Sequence, residues 1–299
     1  MHHQSSASPA ISPADPGPDT SPSALRMAML RAVHGLLDEP AVLHDPHALD
    51  ILEPALARAL REDPFSLNDP MSRTMRAGIV ARSRYAEDAL HAAVAQGVRQ
   101  YVVLGAGWDT LALRNPWPGR LEVYEVDRPA MQQAKRARIQ TLPARLAAQA
   151  PRWVAADLSC QSPSDALAST GFDLCRPACI AWLGVTPYLA PAAVEAVMRD
   201  AARMAAGSVL VLDYRVGNHL LAPLERMMAE YSAKAFAAMG EPWLSDYEPE
   251  ALHARLQALG WSVQEDLDAA QINARYFQRR RDGLQTAGGG FRFLKAVRG

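Results

Sequence analysis

Cysteine is scarce. Only Cys160, Cys175 and Cys179 occur in 299 residues, too few for the disulfide framework of small secreted domains. Cys175 and Cys179 have no companion His or Cys pair at zinc spacing, so no metal is expected. Buried free thiols in a reducing compartment, the cytoplasm, are the expectation. An excess of one charge is also missing. Lys and Arg number 31 against 32 Asp and Glu, a net of −1, which argues against a nucleic-acid or anionic-membrane partner. The longest apolar runs are strand-sized, far short of a bilayer span. Residues 1–22, rich in Ser, Pro and Ala, lack the basic-then-apolar order of a secretory signal and read as a disordered leader. The remaining partner class is a small-molecule acceptor, and the sequence leaves oligomeric state open.

What is present is ordinary for a globular chain, with 49% apolar and 21% charged residues. Residues 23–95 carry helical periodicity in three segments, Ser23–His34, Asp50–Leu60 with an early interruption at Pro54, and Met71–Val94. Ser21 or Ser23 can cap the first. These segments predict an N-terminal helical cap. Strand and helix then alternate through the unit 96–299. Strands are expected at Tyr101–Leu104, Leu121–Val126, Trp153–Ala155, Ala178–Trp182 and Ser208–Leu212. Helices between them include Pro129–Leu146 and Ala192–Met204. The alternation predicts an α/β fold with a doubly wound parallel sheet. A helical insertion at about 215–248 follows strand five and contains the helix Leu220–Met239. After it come the helix Pro249–Leu259 and two late strands, Trp261–Val263 and Phe291–Val297, placed to close the sheet as an antiparallel pair.

The chemistry concentrates at Tyr101-Val-Val-Leu-Gly-Ala-Gly-Trp-Asp109. A buried strand stops at Gly105-Ala-Gly107, and the next strand ends on Glu125 and Asp127. Strand, glycine turn, helix, strand and acid form the layout that holds an adenosine-bearing cofactor at the C-terminal strand ends. Glycines let backbone approach a ligand, and a terminal carboxylate accepts from ribose hydroxyls. Glu125 and Asp127 share a strand face, so both are candidates. Asp157-Leu158, after strand three, is placed beside an adenine. A dinucleotide site needs a third glycine at position 110 for the pyrophosphate, and position 110 is Thr. That disfavours a dehydrogenase and favours S-adenosyl-L-methionine, which has no pyrophosphate.

The run from Val102 through Gly105-Ala-Gly-Trp-Asp-Thr to Arg114, then Glu125-Val-Asp-Arg-Pro129 and Lys135, resembles the leucine carboxyl methyltransferase superfamily. The bacterial enzymes related to polyketide carboxyl O-methyltransferases are the subgroup it is most similar to. Ala81-Arg-Ser-Arg-Tyr85, Gly171-Phe-Asp173, Trp182-Leu-Gly-Val-Thr-Pro-Tyr-Leu189 and Gly207-Ser208 through Asp213-Tyr214 add to the likeness. Gly240-Glu-Pro-Trp243 and Ala274-Arg-Tyr-Phe277 extend it from about residue 25 to the C-terminus. The resemblance implies a class I (Rossmann-like) methyltransferase with S-adenosyl-L-methionine as donor. It implies that Arg82 pairs with the donor's carboxylate, Gly105 lines the turn, Asp127 holds the ribose, and Asp157 and Leu158 flank the adenine. Many relatives carry Glu-Gly after strand four, where this chain has Leu183-Gly184. Gly184 joins the donor-site candidates.

Methyl transfer to a carboxylate oxygen needs no general base, because the acceptor is already anionic at neutral pH. Alignment and water exclusion then carry the reaction. A phenolic or enolic acceptor would call for a base, and the candidates are Tyr188, Tyr214 and His219. Met71, Met75, Met227, Met228, Tyr231, Phe236 and Trp243 are either core or the wall of an apolar acceptor pocket. The run Arg279-Arg-Arg-Asp282 reads as a solvated turn. A further alternative, kept open by Leu183, is a protein that binds the donor without catalysis.

Overall fold

A computed structural model describes residues 21–288 and 290–299. The leader expected over 1–22 lies outside these residues except at its end, where Ser21 caps the first helix and Pro22 opens it. Three cap helices come first, α1 (Pro22–Leu37), α2 (Pro54–Glu62) and α3 (Pro70–Ala95). Five parallel strands follow, β1 (Gln100–Leu104), β2 (Glu122–Asp127), β3 (Arg152–Ala155), β4 (Ala178–Trp182) and β5 (Val209–Arg215). Between them run α4 (Pro129–Gln140), α5 (Ala144–Ala147), α6 (Pro163–Ala168) and α7 (Pro191–Ala201). The chain ends with α8 (Pro223–Ala238), α9 (Pro249–Ala258), β6 (Trp261–Leu267), α10 (Ala269–Tyr276) and β7 (Phe291–Arg298).

The sheet runs β3-β2-β1-β4-β5-β7-β6, with β7 antiparallel to both of its neighbours. Strand order reverses between β1 and β4, which opens a crevice above the C-terminal strand ends. β1, β4 and β5 are buried along their whole length, because helices cover both faces of the sheet.

Prolines set several boundaries differently from the expectation. Pro54 does not interrupt a helix; it starts α2 at its first turn, where a missing N–H costs nothing. Pro143 breaks the segment Pro129–Leu146 into α4 and α5, and the helix expected from Leu220 begins only at Pro223. Ser208 stands outside β5, and its buried hydroxyl accepts from the Ala178 N–H. β6 runs on to Leu267 through an irregularity between Val263 and Glu265. Cys160 and Cys175 are exposed, and only Cys179 is buried, so the expectation of buried thiols holds for one of the three. The run 279–282 is partly enclosed, because Arg280 chelates Asp282 and donates to the Pro40 carbonyl. Among the described residues no helix is long and apolar enough to cross a membrane, and no group of three ligating side chains is arranged for a metal.

The cap joins the sheet through charge as well as apolar packing. Asp45, in the connection after α1, pairs with Arg31 at 2.8 Å and Arg114 at 3.4 Å, and accepts from the Thr110 hydroxyl at 2.6 Å. Arg31 also donates to the Trp108 carbonyl at 2.5 Å. The glycine turn is therefore gripped from above by the cap.

Candidate active site

One cavity of about 620 Å³ lies over the C-terminal ends of β1, β2, β4 and β5, roofed by α1, α3, α8 and the 240–248 connection. Seven of the expected donor-site residues line it: Arg82, Gly105, Gly107, Asp127, Asp157, Leu158 and Gly184. Glu125 does not.

The glycine turn owes its shape to φ +67° at Gly105 and +49° at Gly107, a region in which side chains are strained. A Cβ on Gly105 would overlap the Val185 side chain. The expected helix after this turn is a single 3₁₀ turn, Leu111–Arg114. Thr110 leads into it fully buried, serving as the donor to Asp45. The segment that leaves the turn therefore lacks the regular helix with which a dinucleotide fold follows its glycine turn.

Asp127 ends β2 with its carboxylate folded back on the turn. One oxygen accepts from the Gly107 N–H at 2.6 Å, the other from the Arg128 N–H at 2.7 Å. Each keeps a lone pair for a ligand hydroxyl. Burial pushes this carboxyl above its ordinary value despite the two N–H donors that oppose the rise. Glu125 sits two residues deeper on the same face, beneath α4, where Lys135 captures it at 2.5 Å. Burial pushes the Glu125 carboxyl up to about 7 even beside that ammonium. Shared strand face was a correct inference, but the cation on α4 takes Glu125 out of the crevice.

Asp157 turns onto its own loop, where the Ser159 N–H donates to it at 2.9 Å. The Ser159 contacts hold its carboxyl below the usual range. Leu158 presents an apolar edge beside it.

Arg82 belongs to a unit of three. Its Nη1 donates to Asp213 Oδ2 at 3.0 Å, while Asp213 Oδ1 accepts from the Gly184 N–H at 2.5 Å. The guanidinium lies flat against Gly184, 2.6–2.9 Å from where a Cβ would stand. Position 184 must therefore stay glycine, with φ +68°. Asp213 is 1% exposed and was overlooked as a site residue, although an acid closing an apolar strand signals it. No protein partner is recorded for Arg82 Nε or Nη2 among the described residues, so that edge is available to a carboxylate.

The catalytic candidates separate. Tyr188 lines the cavity, and burial raises its hydroxyl above the ordinary value. Tyr214 is wholly buried and donates to Asp266 at 2.6 Å. Asp266 also binds His253 at 2.7 Å and Arg292 at 3.0 Å. Tyr214 thus ties β5 to β6 and is not part of the cavity lining. His219 is exposed and pairs with Glu248 at 3.2 Å, outside the cavity. Its place in the insertion suggested the cavity, but a short 3₁₀ turn, Asn218–Leu220, carries it outward. Met71, Met75, Met228, Phe236 and Trp243 form the apolar end, whereas Met227 and Tyr231 point to solvent at 60% and 63% exposure. Glu241, also unanticipated, closes the roof by accepting from the Ser21 hydroxyl and from the Ser23 N–H at 2.8 Å.

The chain is similar to known proteins in sequence and in fold. The family model described as leucine carboxyl methyltransferase matches residues 24–202. YktD of Bacillus subtilis (strain 168), provisionally named an S-adenosyl-L-methionine-dependent methyltransferase, is 27% identical over 292 residues, covering 89% of this chain and 94% of YktD. A Mycolicibacterium gilvum (strain PYR-GCK) protein with the same provisional name is 35% identical over 207 residues, 65% of this chain and 66% of its own length. A solved DUF574 family protein from Streptomyces avermitilis MA-4680 shares the fold, with TM-score 0.59 at 16% identity over 94% of this chain and 98% of that one.

Proposed function

The chain belongs to the leucine carboxyl methyltransferase family, and from that premise we propose that it is an S-adenosyl-L-methionine-dependent O-methyltransferase acting on a carboxylate of a small, largely apolar acceptor. The observation that carries the reading is the convergence of Asp127, Arg82 and the Gly105–Gly107 turn on one crevice at the sheet's switch point. Asp127 offers lone pairs to the ribose hydroxyls, and Arg82 offers its free edge to the amino-acid carboxylate. Asp157 and Leu158 flank the adenine. Leu183 adds an apolar surface where relatives carry an acid, leaving Asp213 to order Arg82 and Gly184.

When bound, the donor supplies an electrophilic methyl for in-line displacement. The protein's part is to align the acceptor oxygen and exclude water. A carboxylate arrives ionised, so no base is required of the chain. Tyr188, its hydroxyl raised by burial, is suited to donating a hydrogen bond rather than removing a proton. The reading assigns the protein to the cytoplasm, where exposed Cys160 and Cys175 stay reduced.

The test combines methyl-labelled donor, the full chain and a panel of apolar carboxylic acids. Label in a product that mild alkali hydrolyses is the expected result. Label that resists alkali would move the reading to a phenolic or enolic oxygen. Failure of S-adenosylhomocysteine to bind at millimolar concentration would remove the reading altogether.

A further inference from the structure

Behind the apolar end of the cavity lies a cation without an acid of its own. Arg215, the last residue of β5, is 6% exposed. Its Nη2 donates to the Asn218 side chain at 2.8 Å, and its Nε is buried without a partner. Among the described residues it forms no ion pair; Asp246 acts on it only at longer range. Its guanidinium lies 4.4 Å from the centre of the Trp243 ring. Trp243 lines the cavity and packs against Phe236 at 5.3 Å and Phe291 at 5.6 Å. The indole Nε1–H is likewise buried without a partner. The Tyr188 hydroxyl lies beside it without closing a hydrogen bond.

This is not a loose surface contact. The connection bearing Trp243 is pinned at three points. The Leu244 N–H donates to the Pro187 carbonyl at 2.6 Å, the Ser245 hydroxyl to the Thr186 carbonyl at 2.8 Å, and the Tyr247 N–H to the Arg215 carbonyl at 2.8 Å.

Burying a charge without a counter-ion is costly. The cost has a use if an anion arrives nearby. A guanidinium on one face of an indole is attracted by the ring's π density. Within a low-dielectric wall its field also reaches through the ring into the cavity. The cations that do line the cavity, Arg31, Arg82 and Arg128, belong to the cap contact or the proposed donor end.

We infer that Arg215, acting through Trp243, makes the acceptor end selective for a molecule with an apolar body and an anionic oxygen. Arg215 is a positioning residue that does not touch the acceptor; Trp243 and Tyr188 face it. The inference rests on the methyl-transfer reading and assigns its preference for an anionic acceptor to a residue behind the cavity wall.

The test uses the full chain saturated with S-adenosylhomocysteine, with two probe pairs read by calorimetry: 2-naphthoate against 2-naphthamide, and decanoate against decanamide. The expected result is that each acid binds wild type about tenfold more tightly than its amide. Arg215→Met should bring that ratio near one, and Arg215→Lys should restore part of it. S-adenosylhomocysteine affinity should stay unchanged in both variants. A merely structural Arg215 would weaken acid and amide alike. Equal binding of acid and amide to wild type, binding of neither probe pair, or retention of the preference in Arg215→Met would each overturn the inference. Should Arg215→Met fail to fold, Trp243→Leu removes the ring that Arg215 lies against; an unaltered acid-to-amide ratio there would overturn it equally. Loss of S-adenosylhomocysteine binding by wild type would instead strike the methyl-transfer reading itself.

Discussion

The two ends of the cavity are built by different rules. At the proposed donor end, main-chain geometry does most of the work. Gly105 and Gly107 turn through positive φ, Asp127 is fixed by two backbone N–H groups, and Gly184 leaves room for a guanidinium. At the proposed acceptor end, the wall is mostly side chains, drawn from α3, α8, the 240–248 connection and the start of β7. Methionines and aromatic rings there can be exchanged for others of similar volume at modest cost. One end is therefore specified by positions that tolerate almost nothing, and the other by a composition that tolerates a great deal.

The sharpest way to break that contrast is Gly105→Ala. The added Cβ meets Val185 while the backbone is held at φ +67°. Strain and overpacking together should cost about 2–5 kcal/mol of stability and abolish donor binding. Thermal unfolding and S-adenosylhomocysteine calorimetry measure both, and an unchanged melting temperature would mean that the turn is softer than its dihedrals imply. Arg82→Met comes next. Losing a charge-assisted pair should weaken S-adenosylhomocysteine by about 100-fold. Adenosine, which has no carboxylate, should bind the variant as it binds wild type; equal losses for both ligands would place Arg82 elsewhere in the site. Asp213→Asn should cost about tenfold in S-adenosylhomocysteine affinity, because the single amide oxygen can accept from only one of Arg82 and the Gly184 N–H, and the amide NH2 faces the other donor.

The contrast also explains what the sequence disclosed. Glycine turns, strand-terminal acids and apolar runs are local signals, so the parallel sheet, the crevice and seven residues that line it were readable from the chain. Glu125 was misjudged because its captor, Lys135, stands ten residues away on the next helix. Asp213 was passed over because its role depends on Arg82, 131 positions distant. His219 and Tyr214 stood at plausible places along the chain, yet side-chain direction is fixed by tertiary packing and carried both out of the cavity. The Asp45–Thr110 contact was beyond sequence reasoning for the same reason. Thr110 signalled only a missing glycine, while its partner lies in the cap.

At the acceptor end, Met75→Leu nearly conserves volume and should cost less than about 1.5 kcal/mol of stability. It should shift acceptor KM by a few-fold while leaving S-adenosylhomocysteine affinity alone. A change in donor affinity of similar size would show that the two ends are less separate than their construction suggests.

The smallest effect at neutral pH is expected beneath the donor end, from replacing the Glu125–Lys135 pair together by Gln and Met. Removing one partner would strand a buried charge, but removing both exchanges desolvation cost for attraction and should leave stability within about 1–2 kcal/mol. The pH dependence is the sharper readout. Glu125 is pushed up to about 7 from an ordinary 4.5, so between those values the folded state holds a proton that the unfolded chain has released. The stability linked to this group is therefore complete below the lower value and is lost as pH rises to the upper one. Denaturant unfolding at pH 5 and pH 8 should show the double variant gaining on wild type as pH rises. A difference that stays constant across that range would mean that Lys135 keeps Glu125 ionised throughout, and that the pair acts as a fixed support for β2 under Asp127.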